Sequence, residues 1–241
     1  MRTPFTRADA LLVLLAALNI LNFVDRFLIQ GFAVDLMADL HLSHLQFTLL
    51  TGFAFTLFYT VAGLFTGALA DRVHRPRLIA AGLGTWTLLT AATGLVAGFV
   101  QLAALRTFTG IGEATLTPAA LGLIADTQSP RRRALATGIY YLGAPVGIGG
   151  AFLLAGALGP VIGWRRSFMA LGAAGLLLAL VVATVREPRA AGQAHANAAR
   201  PSAGLVRDIT GALRASPALR LLMAAGVLMI FGQGAFVLDQ A

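Results

Sequence analysis

Seven long apolar stretches are the feature that most constrains the fold of this 241-residue chain. Each is close to the roughly 20 residues that a helix needs to cross a bilayer core. An open sheet is excluded at that depth because its unpaired backbone groups would have no water to bond, so we predict an all-α, polytopic membrane protein. The predicted spans are Leu11–Val34, Gln46–Leu69, Leu78–Val100, Leu102–Ala125, Ala134–Gly156, Ser167–Val185 and Leu219–Leu238.

The composition agrees with a membrane protein and gives its orientation. Hydrophobic residues make up 58% of the chain and charged residues only 12%, against about 25% charged in soluble domains. The net charge is +8, and every basic residue counted in it is an arginine. Fourteen arginines lie in connections on the side of the membrane that holds the N-terminus, against two on the opposite side. The positive-inside rule therefore predicts a cytoplasmic N-terminus, and the basic balance does not indicate nucleic-acid binding. We expect the membrane to be a bacterial inner membrane.

The spacing of the spans predicts three segments. Residues 1–186 hold six spans and form an N-terminal bundle. Residues 187–216 are rich in Ala, Arg, Gly and Pro and are typical of a cytoplasmic linker. Residues 217–241 hold the seventh span, which we interpret as the first helix of an incomplete C-terminal bundle.

Signatures of enzymes are missing from the sequence. It contains no HExxH, GxSxG or Walker motif and no cysteine, and its four histidines all lie outside the predicted spans. We therefore predict no enzyme activity, no catalytic residue, no metal site and no cofactor.

Four ionisable residues lie well inside predicted spans, where a charge costs about 2.5–3.5 kcal/mol on insertion scales. Asp25 and Arg26 are in the first span, and Arg106 and Glu113 are in the fourth. The latter two share one helix face, because seven residues are close to two turns. We predict that the first and fourth spans pack together, with either Asp25 near Arg106 or Arg26 near Glu113. The alternatives are a static ion pair and a proton-linked switch, since burial favours a neutral carboxyl whereas a guanidinium favours a carboxylate.

Prolines and aromatic residues inside the spans add secondary expectations. Pro118 and Pro145 each free a backbone carbonyl four residues back, at Ala114 and Tyr141. Seven aromatic residues either line a cavity or face lipid and neighbouring helices. They are Phe23, Phe53, Phe55, Phe58, Tyr59, Tyr140 and Tyr141.

The connection after the second span reads Gly67-Ala-Leu-Ala-Asp71-Arg72-Val-His74-Arg75-Pro-Arg77-Leu78. It resembles the cytoplasmic signature between helices 2 and 3 of the major facilitator superfamily, with His74 in place of the usual glycine. The resemblance covers residues 8–186. It implies a conformational gate in which Arg75 pairs with Asp126 and Asp71 caps the charge network. The implied gate residues are Gly67, Asp71, Arg72, Arg75 and Asp126.

A narrower resemblance comes from two charged motifs. They are Asn22-Phe-Val-Asp25-Arg26 and Arg106-Thr-Phe-Thr-Gly-Ile-Gly-Glu113-Ala. This pair is similar to the Spinster-like branch, whose members export lipids such as lysophospholipids. The resemblance implies that Asp25 and Glu113 are proton-coupling carboxylates and that Arg26 and Arg106 are their partners or head-group contacts. It also implies a half-bundle of inverted three-helix repeats, in which helix 4 corresponds to helix 1.

These features together predict a proton-coupled secondary transporter of amphipathic lipids that works by alternating access. The expected partners are protons, a lipid or other amphipathic anionic small molecule, and a missing C-terminal half or a second copy. One alternative is an organic-anion symporter of the same superfamily. The other is a half-length module that binds lipid or a partner without transporting.

Overall fold

A computed structural model describes residues 6–187 and, beyond them, residues 211, 214–218, 220–221 and 224–225. The chain divides into two compact units, Met1–Ala194 and His195–Ala241. The predicted linker and seventh span therefore lie largely outside the described residues.

Every element within 6–187 is helical. In chain order the elements are α1 (Arg7–Gly31), α2 (Ala33–Asp39), α3 (His44–Thr48), a π-helical turn (Leu49–Ala54), α4 (Phe55–Ala70), α5 (Arg75–Thr93), α6 (Phe99–Glu113), α7 (Leu116–Thr127), α8 (Pro130–Tyr141) and α9 (Gly143–Ala183).

Side chains in the sequence fix where several helices begin. Thr6 and Asp9 form a reciprocal capping box at the start of α1, and Ser43 and Gln46 form another at the start of α3. Such boxes satisfy amide groups that the first helical turn leaves without partners. At α5 the ring of His74 accepts a hydrogen bond from an amide of the first turn.

Four helical stretches of the described chain are long and apolar enough to cross a membrane: Arg7–Gly31, His44–Ala70, Phe99–Thr127 and Pro130–Ala183. They overlap five of the predicted spans, because the last stretch covers the fifth and most of the sixth. The third predicted span, Leu78–Val100, is not among them, and its helix ends early, at Thr93. The boundary was wrong because turns and extended backbone occupy residues 94–98, although these residues are apolar.

The longest helix is broken by a glycine. Helix α9 has 41 residues, about 60 Å at 1.5 Å per residue, which is too long for one crossing. Gly163 has φ 75° and ψ 167°, a conformation that divides α9 into residues 143–162 and 164–183. Only glycine adopts this backbone readily, so the break lies where the sequence allows it.

Both prolines named above lie in the first turn of a new helical segment. Pro118 follows the start of α7 at Leu116, and Pro145 follows the start of α9 at Gly143. The carbonyl of Ala114, which Pro118 leaves without its helical partner, accepts a 2.8 Å hydrogen bond from the Thr66 hydroxyl of α4. A neighbouring helix thus satisfies a group that would otherwise be costly in an apolar interior.

Helix α9 packs along both α1 and α5. A Cβ atom at Gly147 would collide with the carbonyl oxygen of Ile20 in α1, and one at Gly172 with that of Thr87 in α5. Glycine therefore sets the close approach of α9 to both helices.

Two apolar clusters form the core, and polar residues lie between them. Along α1, Leu18 belongs to the first cluster and Leu28 to the second. Along α6 and α7, Leu102 belongs to the second and Leu116 to the first. Buried polar residues lie between these positions along α1 and α6, and others lie on α5; we call the following set the polar layer. Its members are Asn19, Asn22, Asp25, Thr87, Thr90, Arg106, Thr109 and Glu113.

Candidate functional site

The polar layer brings three helices together around two buried carboxylates. Helix α1 contributes Asp25 and α6 contributes Glu113, and each residue is only 1% exposed. Arg106 of α6 is also buried, whereas Arg26 of α1 keeps 20% of its side chain exposed. Three of the four predicted site residues are therefore buried in the bundle, and Arg26 is partly buried.

Arg26 and Glu113 form an ion pair between α1 and α6. Nε and Nη2 of Arg26 donate to the same carboxylate oxygen, Oε2, at 3.1 and 2.8 Å. The other oxygen, Oε1, is buried and has no hydrogen-bond partner among the described residues. Of the two pairings that the sequence left open, the structure contains the one between Arg26 and Glu113.

Three aromatic rings surround the Arg26 guanidinium. Its carbon lies 4.4 Å from the ring centre of Tyr59, 4.8 Å from that of Phe55 and 5.2 Å from that of Phe23. The Phe55 ring also lies 5.0 Å from the Arg106 guanidinium. Ring faces attract cations, so this aromatic cage stabilises a charge in otherwise apolar surroundings.

The other aromatic residues named from the sequence lie elsewhere. Tyr140 is buried, with its hydroxyl 3.1 Å from that of Thr117. Phe58 and Tyr141 are exposed on the described bundle. The side chain of Phe53 lies outside the described residues.

Asp25 has a neutral partner instead of a guanidinium. Its Oδ2 atom lies within hydrogen-bond distance of the Thr90 hydroxyl on α5, at 2.5 Å. Its Oδ1 atom is buried and has no partner within the described chain. Among the described residues Asp25 forms no ion pair, so the pairing with Arg106 that the sequence also allowed is not formed.

Arg106 connects α6 to α1 through the backbone. Its Nη2 atom donates to the carbonyl oxygen of Arg26 at 3.3 Å, and its Nε atom is buried with no partner among the described residues. Helix α1 otherwise packs mainly on α9. The predicted packing of the first span on the fourth is therefore found in two forms: α1 shares the first apolar cluster with α7, and long charged side chains connect it to α6.

A second cluster of charges lies at the connection between α4 and α5. Nη1 of Arg75 donates to Asp126, which is on α7, and Nε donates to the carbonyl of Ala70 at 3.3 Å. Nη2 of Arg75 is 3.9 Å from Asp71, whose side chain is 68% exposed. The Arg75–Asp126 pair is the contact that the loop signature implies.

The structure shows whether the α4–α5 connection requires a glycine at position 74 or at position 67. His74 has φ −66° and ψ 106°, so the connection does not need a glycine there. A Cβ at Gly67 would meet nothing within 4 Å, which shows that the described bundle does not require this glycine for packing. For Arg72, which is half-buried, the structure shows no ion pair among the described residues.

Three residues that contact the site or the charge cluster in the structure were not predicted from the sequence. Thr90 contacts Asp25, and Thr66 contacts Ala114. Glu187 accepts a hydrogen bond from the Arg75 amide at 3.3 Å and lies 4.0 Å from His74. The only available signal was the spacing of Thr87, Thr90 and Thr93 along one helix, which does not identify a partner.

Comparison with known families gives a match over most of the chain. A family model described as Major Facilitator Superfamily matches residues 15–239. An MFS-type efflux pump of Mycolicibacterium smegmatis is 35% identical over 179 residues, which cover 74% of this chain and 42% of the pump. A probable L-galactonate transporter of Escherichia coli is 29% identical, covering 72% of this chain and 38% of that protein.

Two further comparisons involve proteins of the Spinster group. A probable sphingolipid transporter, spinster homolog 1 of Arabidopsis thaliana, is 26% identical over 68% of this chain and 37% of that protein. The crystal structure of a bacterial homolog of the human lysosomal transporter Spinster, in an inward-facing and occupied conformation, has a TM-score of 0.74 and 34% identity. That match covers 79% of this chain and 46% of the other. The chain thus spans less than half the length of each of these proteins.

Proposed function

Because this chain belongs to the major facilitator superfamily, we propose that it forms the N-terminal bundle of a proton-coupled secondary transporter of lysophospholipid-like, amphipathic lipids. The observation that carries this proposal is the partly buried ion pair between Arg26 and Glu113, beside a second buried carboxylate, Asp25. Ionisable groups at membrane depth generally mark proton or substrate pathways. A transporter that works by alternating access uses such groups because each helix movement changes their partners.

The two carboxylates are suited to binding protons at different stages of a cycle. Glu113 has a guanidinium partner in the structure, whereas Asp25 has none among the described residues. A movement that separates α1 from α6 would leave Glu113 without its counter-ion in apolar surroundings, where the neutral form is favoured. Proton uptake would then accompany the movement, and re-formation of the Arg26–Glu113 pair would release the proton.

The proposed substrate class follows from the guanidinium groups and their surroundings. Arg26 is partly exposed, and Arg106 has a buried Nε atom with no partner in the described chain. Guanidinium groups make strong, charge-assisted bonds to phosphate and carboxylate. The rings of Phe23, Phe55 and Tyr59 supply apolar surface beside them. The relative named as a probable sphingolipid transporter supports an amphipathic lipid.

The remaining elements of the proposal concern assembly and gating. A second bundle, from a C-terminal half or a second copy, would complete the cavity. Gly67, Asp71 and Arg72 would then act at the junction between the bundles, with Arg75 held in place by Asp126. The open space at Gly67 supports this role, because no contact within the described bundle requires a residue without a Cβ atom at this position.

We also propose that the N-terminus lies on the cytoplasmic side of a bacterial inner membrane. The chain contains no cysteine, so single introduced cysteines can be labelled without background. With a membrane-impermeant thiol reagent, Leu45→Cys should react from the outside of intact cells. Arg131→Cys should react only after the membrane is opened. The reverse pattern would contradict the orientation.

A transport assay tests the function directly. The protein is reconstituted in liposomes, and movement of a labelled lysophospholipid is followed with and without a pH gradient. We expect gradient-dependent movement that is lost in Asp25→Asn and in Glu113→Gln. Asp35→Asn is the matched control, since Asp35 is an exposed carboxylate outside the polar layer. Gradient dependence that survives in both site variants would refute the proton role.

A second candidate function is organic-anion symport with the same charges. The relative named as a probable L-galactonate transporter favours it. Competition against the labelled lysolipid separates the two candidates. Unlabelled lysolipids should compete if the substrate is a lipid, and small carboxylates or sugar phosphates should compete if it is a small anion.

A further inference from the structure

One hydroxyl group in the polar layer lies between a carboxylate and a backbone carbonyl. Oγ1 of Thr90 is 2.5 Å from Oδ2 of Asp25 and 2.9 Å from the carbonyl oxygen of Trp86. Thr90 and Asp25 are both almost completely buried, at 2% and 1% exposed. A hydroxyl has a single hydrogen but can also accept, so it can donate to only one of these two oxygens at a time.

The arrangement differs from that of the neighbouring threonines on the same helix. The hydroxyl of Thr87 donates to Leu83 at 2.7 Å, and that of Thr93 donates to Leu89 at 3.0 Å. Both are bonds to a carbonyl four residues back, which buried threonines commonly make within helices. Among these three threonines, only Thr90 also contacts an ionisable side chain.

Each charge state of Asp25 can therefore make a hydrogen bond with Thr90. When Asp25 is ionised, the hydroxyl donates to Oδ2. When Asp25 is protonated, its own O–H donates to Oγ1, and the threonine hydrogen turns to the Trp86 carbonyl. We propose that Thr90 is a positioning residue that keeps Asp25 hydrogen-bonded and fixed in place in both of its charge states.

This inference rests on the proposed function, because it requires that Asp25 change its charge. Among the described residues, the charged groups near Asp25 are Arg26 on its own helix and Arg106 and Glu113 on α6. From α5 it is faced by the uncharged Thr90. A change at Thr90 therefore alters the hydrogen bonding of Asp25 without removing any charge from the site.

Infrared spectroscopy of the purified protein measures the proton on Asp25 directly. The carbonyl stretch of a protonated carboxyl group is followed during acidification, and the band that disappears in Asp25→Asn is assigned to Asp25. Thr90→Val keeps the shape of the side chain but removes the hydroxyl. In this variant the ionised form of Asp25 loses more stabilisation than the neutral form does, because hydrogen bonds to charged groups are stronger than those between neutral groups. We therefore expect the midpoint of the Asp25 titration to move upward by about one pH unit in Thr90→Val. The carbonyl band of protonated Asp25 should move to higher frequency.

Two further variants keep the test decisive. Thr90→Ser retains a hydroxyl and should keep the wild-type midpoint. Thr93→Val should leave the midpoint unchanged, because the Thr93 hydroxyl donates to the carbonyl of Leu89 and Thr93 is outside the polar layer. An Asp25 band with the same midpoint and frequency in Thr90→Val would overturn the role of Thr90 alone. Absence of a titrating Asp25 band in the wild type would overturn both this role and the proton role of Asp25.

Discussion

Arg26 on α1 directs two nitrogen atoms to one carboxylate oxygen of Glu113 on α6, and the glutamate side chain is completely shielded from solvent. The partners are unequal, since 20% of the Arg26 side chain remains exposed. An unpaired charge costs more where less solvent reaches it. The two halves of this ion pair should therefore respond differently to mutation.

The first prediction concerns this asymmetry. Arg26→Met leaves Glu113 without its counter-ion and should lower the free energy of unfolding by about 3 kcal/mol. Glu113→Gln should cost less, because solvent and the aromatic cage still stabilise the Arg26 charge. The double variant should be more stable than Arg26→Met alone. Thermal unfolding in detergent measures all three, and equal stability of Arg26→Met and the wild type would contradict the prediction.

The second prediction concerns the carbonyl of Ala114. Thr66→Val removes its hydrogen-bond donor and should destabilise the bundle by about 1 kcal/mol. Pro118→Ala returns an amide hydrogen four residues ahead of this carbonyl, so it should reduce the cost of Thr66→Val. Unfolding measurements on the two single variants and the double variant give the coupling. Purely additive effects would show that Thr66 does not compensate for the proline.

The third prediction concerns the break in α9. Gly163→Ala should destabilise the protein by about 1–3 kcal/mol, because only glycine adopts its backbone conformation readily. Steric contact does not contribute, since an added Cβ there meets nothing within 4 Å. Gly149→Ala is the matched control in the same helix, as it has equal space and an ordinary conformation. It should be neutral or stabilising, so equal effects of the two substitutions would refute the argument.

The fourth prediction separates gating from packing at the α4–α5 connection. Gly67→Ala should leave the unfolding temperature undiminished, because the new methyl group has open space, but should slow transport. Gly122→Ala should lower both, since its Cβ would lie 2.7 Å from the Arg75 guanidinium carbon and displace it from Asp126. Wild-type transport rates in Gly67→Ala would exclude this glycine from the gate.

Much of this architecture could be predicted from the amino-acid sequence. Apolar length identified most of the helices, and the cost of charges at membrane depth identified the cluster of Asp25, Arg26, Arg106 and Glu113, of which Arg26 is only partly buried. The choice between two ion pairs could not be predicted, because it depends on how far apart α1 and α6 lie. Thr66 and Thr90 were missed for a similar reason, since threonine is common in helices and its partner is known only once the helices are packed.

Proton movement coupled to substrate is the most direct test of the proposed role of Asp25 and Glu113. Liposomes containing the protein and a pH-sensitive dye in weak buffer are mixed with lysophospholipid, and the internal pH is recorded. We predict a substrate-induced pH change that is present in the wild type and in Asp35→Asn and is absent in Asp25→Asn and Glu113→Gln. An undiminished pH change in both site variants would contradict the role proposed for the two carboxylates.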